Sequence, residues 1–317
     1  MAGDLSFRGE KGGRLVARMK HFRVPDDYPG ARAGESARRA RELPSVDLVA
    51  ERFTFRGKQL GRIEVLAERG PDEWRIERLM LVNTEASVTG KGLWRTAPQS
   101  VTNVALNLES SDGGRFLERL GYPGLVRGAP SKMQAALEWS GDPTAIDYPT
   151  LSGTVQLQSE DGQFLEIEPG IGKLVSLMSL QALPRRLTLD FRDVFSKGFQ
   201  FDRIAAAADI ERGMMKIRDF KMRGSAAEVD MSGEVDLARE TQNLRVRVVP
   251  QLGDTASTVI GLINPLLMFP AAIAQRILKD PLGHIFAFNY TVTGSWVDPK
   301  VAKRGVEAEE APAAKEN

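Results

Sequence analysis

Gly170-Ile171-Gly172-Lys173 comes nearest to a chemical motif in this 317-residue chain, because glycines followed by a lysine can wrap a phosphate. The phosphate-loop pattern also needs a glycine five positions before its last glycine and a hydroxyl residue after the lysine. Ile167 and Leu174 stand there, so the match fails twice and the segment reads as the start of a helix. Asp190 and Asp193 could suggest paired carboxylates, but they lie in strand-like LDFRD with Arg192 between them, which makes surface charge the simpler reading. His21 and His284 are the 2 histidines, too few for a histidine metal site, and a Ser-His-Asp triad has little to draw on. There are 0 cysteines, which excludes a thiolate zinc site, an iron–sulfur cluster, a disulfide scaffold and a cysteine nucleophile. Neither a G-x-S-x-G elbow nor an H-E-x-x-H helix occurs. The residues point away from catalysis, and no metal or cofactor is expected.

The composition narrows the classes further. Lys and Arg total 43 against 42 Asp and Glu, a net charge of +1, which argues against nonspecific nucleic-acid binding. The opening MAGDLSFRGEKGG has no apolar core and no cleavage site, so neither a signal peptide nor an anchor is expected here. What remains is a pattern of period two, the signature of half-buried strands. It runs through Phe53/Phe55, Ile63/Val65, Trp74/Ile76, Leu79/Leu81, Val104/Leu106/Leu108 and Val155/Leu157. It continues through Leu187/Leu189/Phe191, Met215/Ile217, Val229/Met231, Leu244/Val246/Val248 and Phe286/Phe288/Tyr290. Gly, Asn, Asp and Pro separate these runs, which gives about fifteen short strands paired as an antiparallel meander. Asp4–Phe22 alternates as a strand pair around Gly12-Gly13, and a chain that begins inside a sheet points to a piece of a longer one.

Three segments depart from the alternation. Asp112–Leu120 and Pro169–Leu180 carry apolar residues at helical spacing. Thr255–Ala274 is the longest uncharged stretch; Pro265 and Pro270 break it, so a bent helical hairpin capping the sheet is favoured over an interfacial membrane contact, and both over a membrane span. Residues 1–42 are expected as a strand pair with an Arg-rich loop, 43–302 as the main β-domain with a helical insertion at 255–278, and 303–317 as a disordered tail. So many alternating strands produce a broad apolar face with little helix to cover it. Closure into a barrel or sandwich, or an open trough filled by something apolar, would each bury that face.

From Arg119-Leu120-Gly121-Tyr122-Pro123 onward, the chain resembles the C-terminal part of the YhdP family of AsmA-like envelope proteins. The most specific stretch is SLQALPRRLTLDFRDVFSKGFQFD, Ser179–Asp202. Asp147–Leu174, YTVTGSWVDPKV at Tyr290–Val301 and WRIERLMLVNTEASVTGKGLW at Trp74–Trp94 support it, so the likeness covers nearly everything from Leu43. It implies a mainly β fold, a long curved antiparallel sheet forming an open apolar groove (a β-taco) with a few short helices. It also implies a periplasmic location, inner-membrane anchoring in full-length relatives, and a part in carrying phospholipid between inner and outer membranes. The alternative is a non-catalytic scaffold in outer-membrane assembly.

Phospholipid acyl chains, a membrane at one end and an envelope protein are the expected partners. The alternation supplies the expected groove lining: Phe55, Ile63, Val65, Leu81, Leu106, Leu157, Leu189, Ile217, Met231, Val246 and Phe288. Glu64, Asn107, Asp190, Lys216 and Arg247 should face water. Ile263, Leu266, Leu267 and Phe269 in the insertion are the expected membrane or partner contact.

Overall fold

The structure is a computed structural model that describes residues 3–8, 13–25, 43–143, 145–165, 199–250 and 286–308. The Pro169–Leu180 helix, Leu189, Asp190 and the 255–278 insertion with Ile263, Leu266, Leu267 and Phe269 lie outside the described residues. The strands are β1 (Gly3–Arg8), β2 (Arg14–Val24), β3 (Ser45–Phe55), β4 (Lys58–Arg69), β5 (Glu73–Val82), β6 (Ala86–Arg95), β7 (Val101–Ser110) and β8 (Val126–Gly128). They continue as β9 (Ser131–Ser140), β10 (Ser152–Phe164), β11 (Phe199–Glu211), β12 (Met214–Arg223), β13 (Ala227–Asp236), β14 (Thr241–Pro250), β15 (Phe286–Ser295) and β16 (Pro299–Ala308). A helix, α1 (Gly113–Arg119), and a 3-10 turn at Tyr148–Thr150 interrupt them.

All of these strands belong to one sheet. They pair in chain order, with only the short β8 set aside against β10, and the end strands β1 and β16 do not meet. The sheet is therefore open, the outcome the alternation alone could not choose. Pairing is antiparallel as expected, with one correction: β2 and β3 run parallel, Arg14 opposite Ser45 and Val24 opposite Phe55. A parallel pair needs a crossover of a dozen or more residues, and the chain from Pro25 to Pro44 is long enough to return it to the starting end. At the other edge, β16 stays paired with β15 as far as Ala308, with one register shift between Ala287 and Asn289, and so extends past residue 302.

The two ends of the strands differ. One rim, the turn rim, carries mostly short turns such as Arg212-Gly213 and residues 237–240. The opposite loop rim carries α1 with β8, and it is also where β10 and β14 end at Phe164 and Pro250 and where β11 and β15 begin at Phe199 and Phe286. At the loop rim, α1 begins on Asp112, whose carboxylate accepts from the Arg115 backbone N–H at 3.0 Å. It ends on Arg119, which reaches back to the β5–β6 turn. Arg119 Nε and Nη2 donate to the Glu85 carboxylate at 3.0 and 2.6 Å, and Nη1 donates to the Gln59 carbonyl at 3.0 Å.

The two side chains of this pair are only 25% and 13% exposed. The Arg119 guanidinium holds the Glu85 carboxyl below the usual carboxylate range, and burial opposes it more weakly. A lowered folded-state value means that the pair stabilises fully above the unfolded value of about 4.3, and the gain is lost as pH falls through the folded value. Glu85→Gln is therefore expected to cost about 1–2 kcal/mol at neutral pH. Urea midpoints of wild type and variant should differ at neutral pH and converge in acid; a constant gap would show that the ion pair is not the cause.

Candidate functional site

Residues directly opposite one another on neighbouring strands share a face of the sheet, so the register traces each face across the whole molecule. One row reads Ala17, Leu48, Val65, Leu79, Gly90, Leu106, Ala135, Val155, Ala208, Ile217, Gly233, Leu244, Val292, Val301. Every member is apolar or glycine. The adjacent row reads Ile63, Leu81, Val88, Leu108, Met133, Leu157, Ala206, Phe220, Met231, Val246, Tyr290 and holds no charge from β4 to β15; it meets Lys303 on the edge strand β16. The alternate rows lie on the other face. Glu64, Met80, Thr89, Asn107, Gln134 and Gln156 follow one another there, and so do Asp209, Lys216, Glu234, Asn243, Thr293 and Lys300.

The register gives each described member of the expected lining a position on this map. Val65, Leu106 and Ile217 stand in the first row, and Ile63, Leu81, Leu157, Met231 and Val246 in the second. Phe288 stands in the next row toward the loop rim, opposite Val248. Phe55 closes β3 at that rim, 37% exposed, with its ring 6.3 Å from Phe53. Glu64, Asn107, Lys216 and Arg247 belong to the polar rows.

Burial varies along each strand. In the middle, Leu106, Leu157, Ile217, Met231 and Val246 are half-buried. Near the loop rim, Phe199, Phe201, Ile204, Met222 and Val229 form a buried cluster with Leu125 and Val126 of the α1–β8 connection. Near the turn rim, Ile210, Met215, Val235 and Leu244 form a second buried cluster with Trp139, Leu151 and Trp296. At β2–β4 the strand centres are closed, because Ala17, Leu48, Ala50, Phe53 and Ile63 form a third buried cluster. From β5 onward solvent reaches apolar side chains along the strand centres, with closely packed margins at both rims. Burial pushes the phenols of Tyr148 and Tyr290 up, for Tyr148 with smaller contributions from the Glu240 and Tyr122 charges, so both remain neutral donors near pH 7.

The alternation did not single out the furnishing of the turn rim. All 4 tryptophans of the chain stand there. Trp74, Trp94 and Trp139 occupy one row, with Thr102 between the last two. Trp296 follows β15 at the same rim. Three of the indoles donate to nearby turn acceptors: Trp74 to the Pro44 carbonyl at 3.1 Å, Trp94 to the Ser100 hydroxyl at 2.9 Å and Trp139 to the Asp142 carbonyl at 3.0 Å. A signal existed in the sequence, since Trp74 and Trp296 sit beside turn residues, but alternation ranks a tryptophan no higher than any other apolar residue.

Among the described residues, no three metal-ligating side chains converge, and no helix is long and apolar enough to cross a membrane. The family profile described as "YhdP protein" matches residues 1–301. The curated protein "Intermembrane phospholipid transporter YhdP" of Escherichia coli (strain K12) is 27% identical over 264 residues. That alignment covers 82% of this chain and 21% of the relative, so the chain spans about a fifth of that protein's length. No solved structure gives a significant match.

Proposed function

Given that the chain belongs to the YhdP family, we propose that it forms a stretch of an apolar trough along which phospholipid passes between the inner and outer membranes of a cell envelope. The observation that carries this reading is the pair of rows that run uncharged from β4 to β15, half-open to solvent along the strand centres from β5 onward. The relative's printed description supports phospholipid as the cargo.

The physical case is one of continuity. An acyl chain entering water loses about 0.8 kcal/mol per CH₂, tens of kcal/mol for a two-chain lipid. A strip with no charged position from β4 to β15 replaces the bilayer interior at every step across those strands, so no single step there carries that cost. Headgroups travel at the slot between the rims, in water. Selectivity for acyl chains is low, because contact area rather than directional bonding holds them. No catalytic step is required. The lipid-bearing unit includes residues 43–302, and Ile263, Leu266, Leu267 and Phe269 in its insertion meet a membrane or an envelope protein at one end.

The test is a photoreactive residue placed at Leu106 or Val246, on the apolar strip, with Lys216 on the polar face as control. Exposure to phospholipid vesicles followed by illumination should attach lipid at the first two positions and not at the third. Equal labelling of all three would defeat the reading.

A further inference from the structure

Among the described residues, four buried side-chain polar atoms lack a hydrogen-bond partner, and three of them belong to Gln242 and Trp296. Both amide atoms of Gln242 are orphaned and so is the indole N–H of Trp296, in side chains only 5% and 2% exposed. The two are close along the sheet. Gln242 is paired with Gly294, two residues before Trp296, and the Trp296 backbone N–H donates at 2.8 Å to the carbonyl of Glu240, two residues before Gln242. Gln242 is in phase with Leu244, Val246 and Val248, so it is the polar member of an otherwise apolar series on β14. Opposite it, Gly294 presents no side chain.

Buried polar groups are nearly always satisfied, and leaving three unmet is costly when leucine or phenylalanine would remove the cost. The other three indoles at this rim are paired, which isolates Trp296 as the exception. Position supplies the chemistry. Gln242 lies where the apolar strip gives way to the turn rim, the zone between the acyl chains and the headgroup of a lipid lying in the trough. The groups found at that depth of a diacyl lipid are its ester carbonyls, which accept hydrogen bonds and donate none.

We infer that Gln242 and Trp296 form a polar station for the glycerol-ester region of a glycerophospholipid, which deepens and rests on the trough reading above. The Gln242 amide NH₂ and the Trp296 indole N–H donate to ester carbonyls while the acyl chains lie against the half-buried Met231 and Val246. The Gln242 amide oxygen accepts from a headgroup hydroxyl or ammonium. Because both groups are enclosed, neighbouring side chains must part as a lipid enters, and uptake is slower than free encounter.

The experiment compares uptake by the full chain of diester phosphatidylglycerol and of its diether analogue, which keeps the phosphate and chains but lacks the carbonyls. Wild type should take up the diester about five- to tenfold better, the scale of one or two buried hydrogen bonds. Gln242→Leu should remove most of that preference and melt at a higher temperature than wild type. Trp296→Phe deletes the donor with little loss of ring and should reduce the preference, giving a second reading if the leucine variant misfolds. Equal uptake of both lipids by wild type overturns the station and leaves the trough intact. Uptake of neither lipid overturns the trough and the station together.

Discussion

Gly153→Ala is expected to cost about 3–4 kcal/mol, near the upper end for a single methyl group. Gly153 stands on the apolar face between Leu137 of β9 and Ile210 of β11, with φ +142°. A Cβ there would lie 2.0 Å from the carbonyl oxygen of Ala136 and 2.9 Å from the Cα of Leu137. Both obstacles are backbone of a paired strand, so relief means parting β9 from β10. The strained φ adds about 1–2 kcal/mol of its own. Gly233, at φ +139°, repeats the arrangement against the carbonyl of Asn243 at 2.2 Å and should respond alike. Gly124 separates the two causes: at φ +70° with nothing within 4 Å, its alanine variant should lose only about 1 kcal/mol. Urea denaturation followed by tryptophan fluorescence ranks the three, and a Gly153 loss no greater than that at Gly124 would contradict the close strand approach.

Leu106→Asp should impair lipid retention far more than folding. Leu106 stands between Gly90 and Ala135 in the row that crosses the sheet, and its Cδ2 occupies the space a Gly90 side chain would need, at 2.7 Å. The substitution puts a carboxylate into an otherwise uncharged strip. Because the position is half-open, water can solvate the charge, which holds the folding cost to about 1–3 kcal/mol. An acyl chain passing over it has no such relief, and phospholipid recovered with the protein should fall by about tenfold or more, equivalent to about 1.4 kcal/mol or more of binding. Lys216→Asp, a charge reversal on the polar face, should leave recovery unchanged. Collapse of the Leu106→Asp protein at neutral pH would indicate a dry, closed interior at that point.

Much of the sheet was legible because alternation and its interruptions are written in the residues. Trp74/Ile76 and Leu79/Leu81 are out of phase by one, and the register slips between Ile76 and Leu79. Met215/Ile217 and Phe220/Met222 show the same change across the irregularity between Ile217 and Phe220. A phase shift inside a strand is the mark of a bulge, which turns the chain over so that the apolar set stays on one face. The parallel pairing of β2 with β3 left no such mark. The direction in which a strand is re-entered depends on the path of the connection, and Asp26–Glu42 has no periodicity to reveal one. Gln242 was hidden for a different reason. A polar residue that begins a strand reads as part of the turn, and only the register with Gly294 places it on the apolar face.

The chain-order pairing has a consequence for growth of the protein. Each strand from β3 to β7 is held by the neighbours made just before and just after it, as in a stack of repeats. Such a sheet has no closure condition: no first strand must find a last one, and no strand number is privileged as it is in a barrel. Duplicating or deleting one hairpin would lengthen or shorten the array by about 10 Å and leave every other register intact. Folding can likewise start at any hairpin and spread outward in both directions, without waiting for a distant partner. Evolution can therefore adjust the length of such a molecule one hairpin at a time.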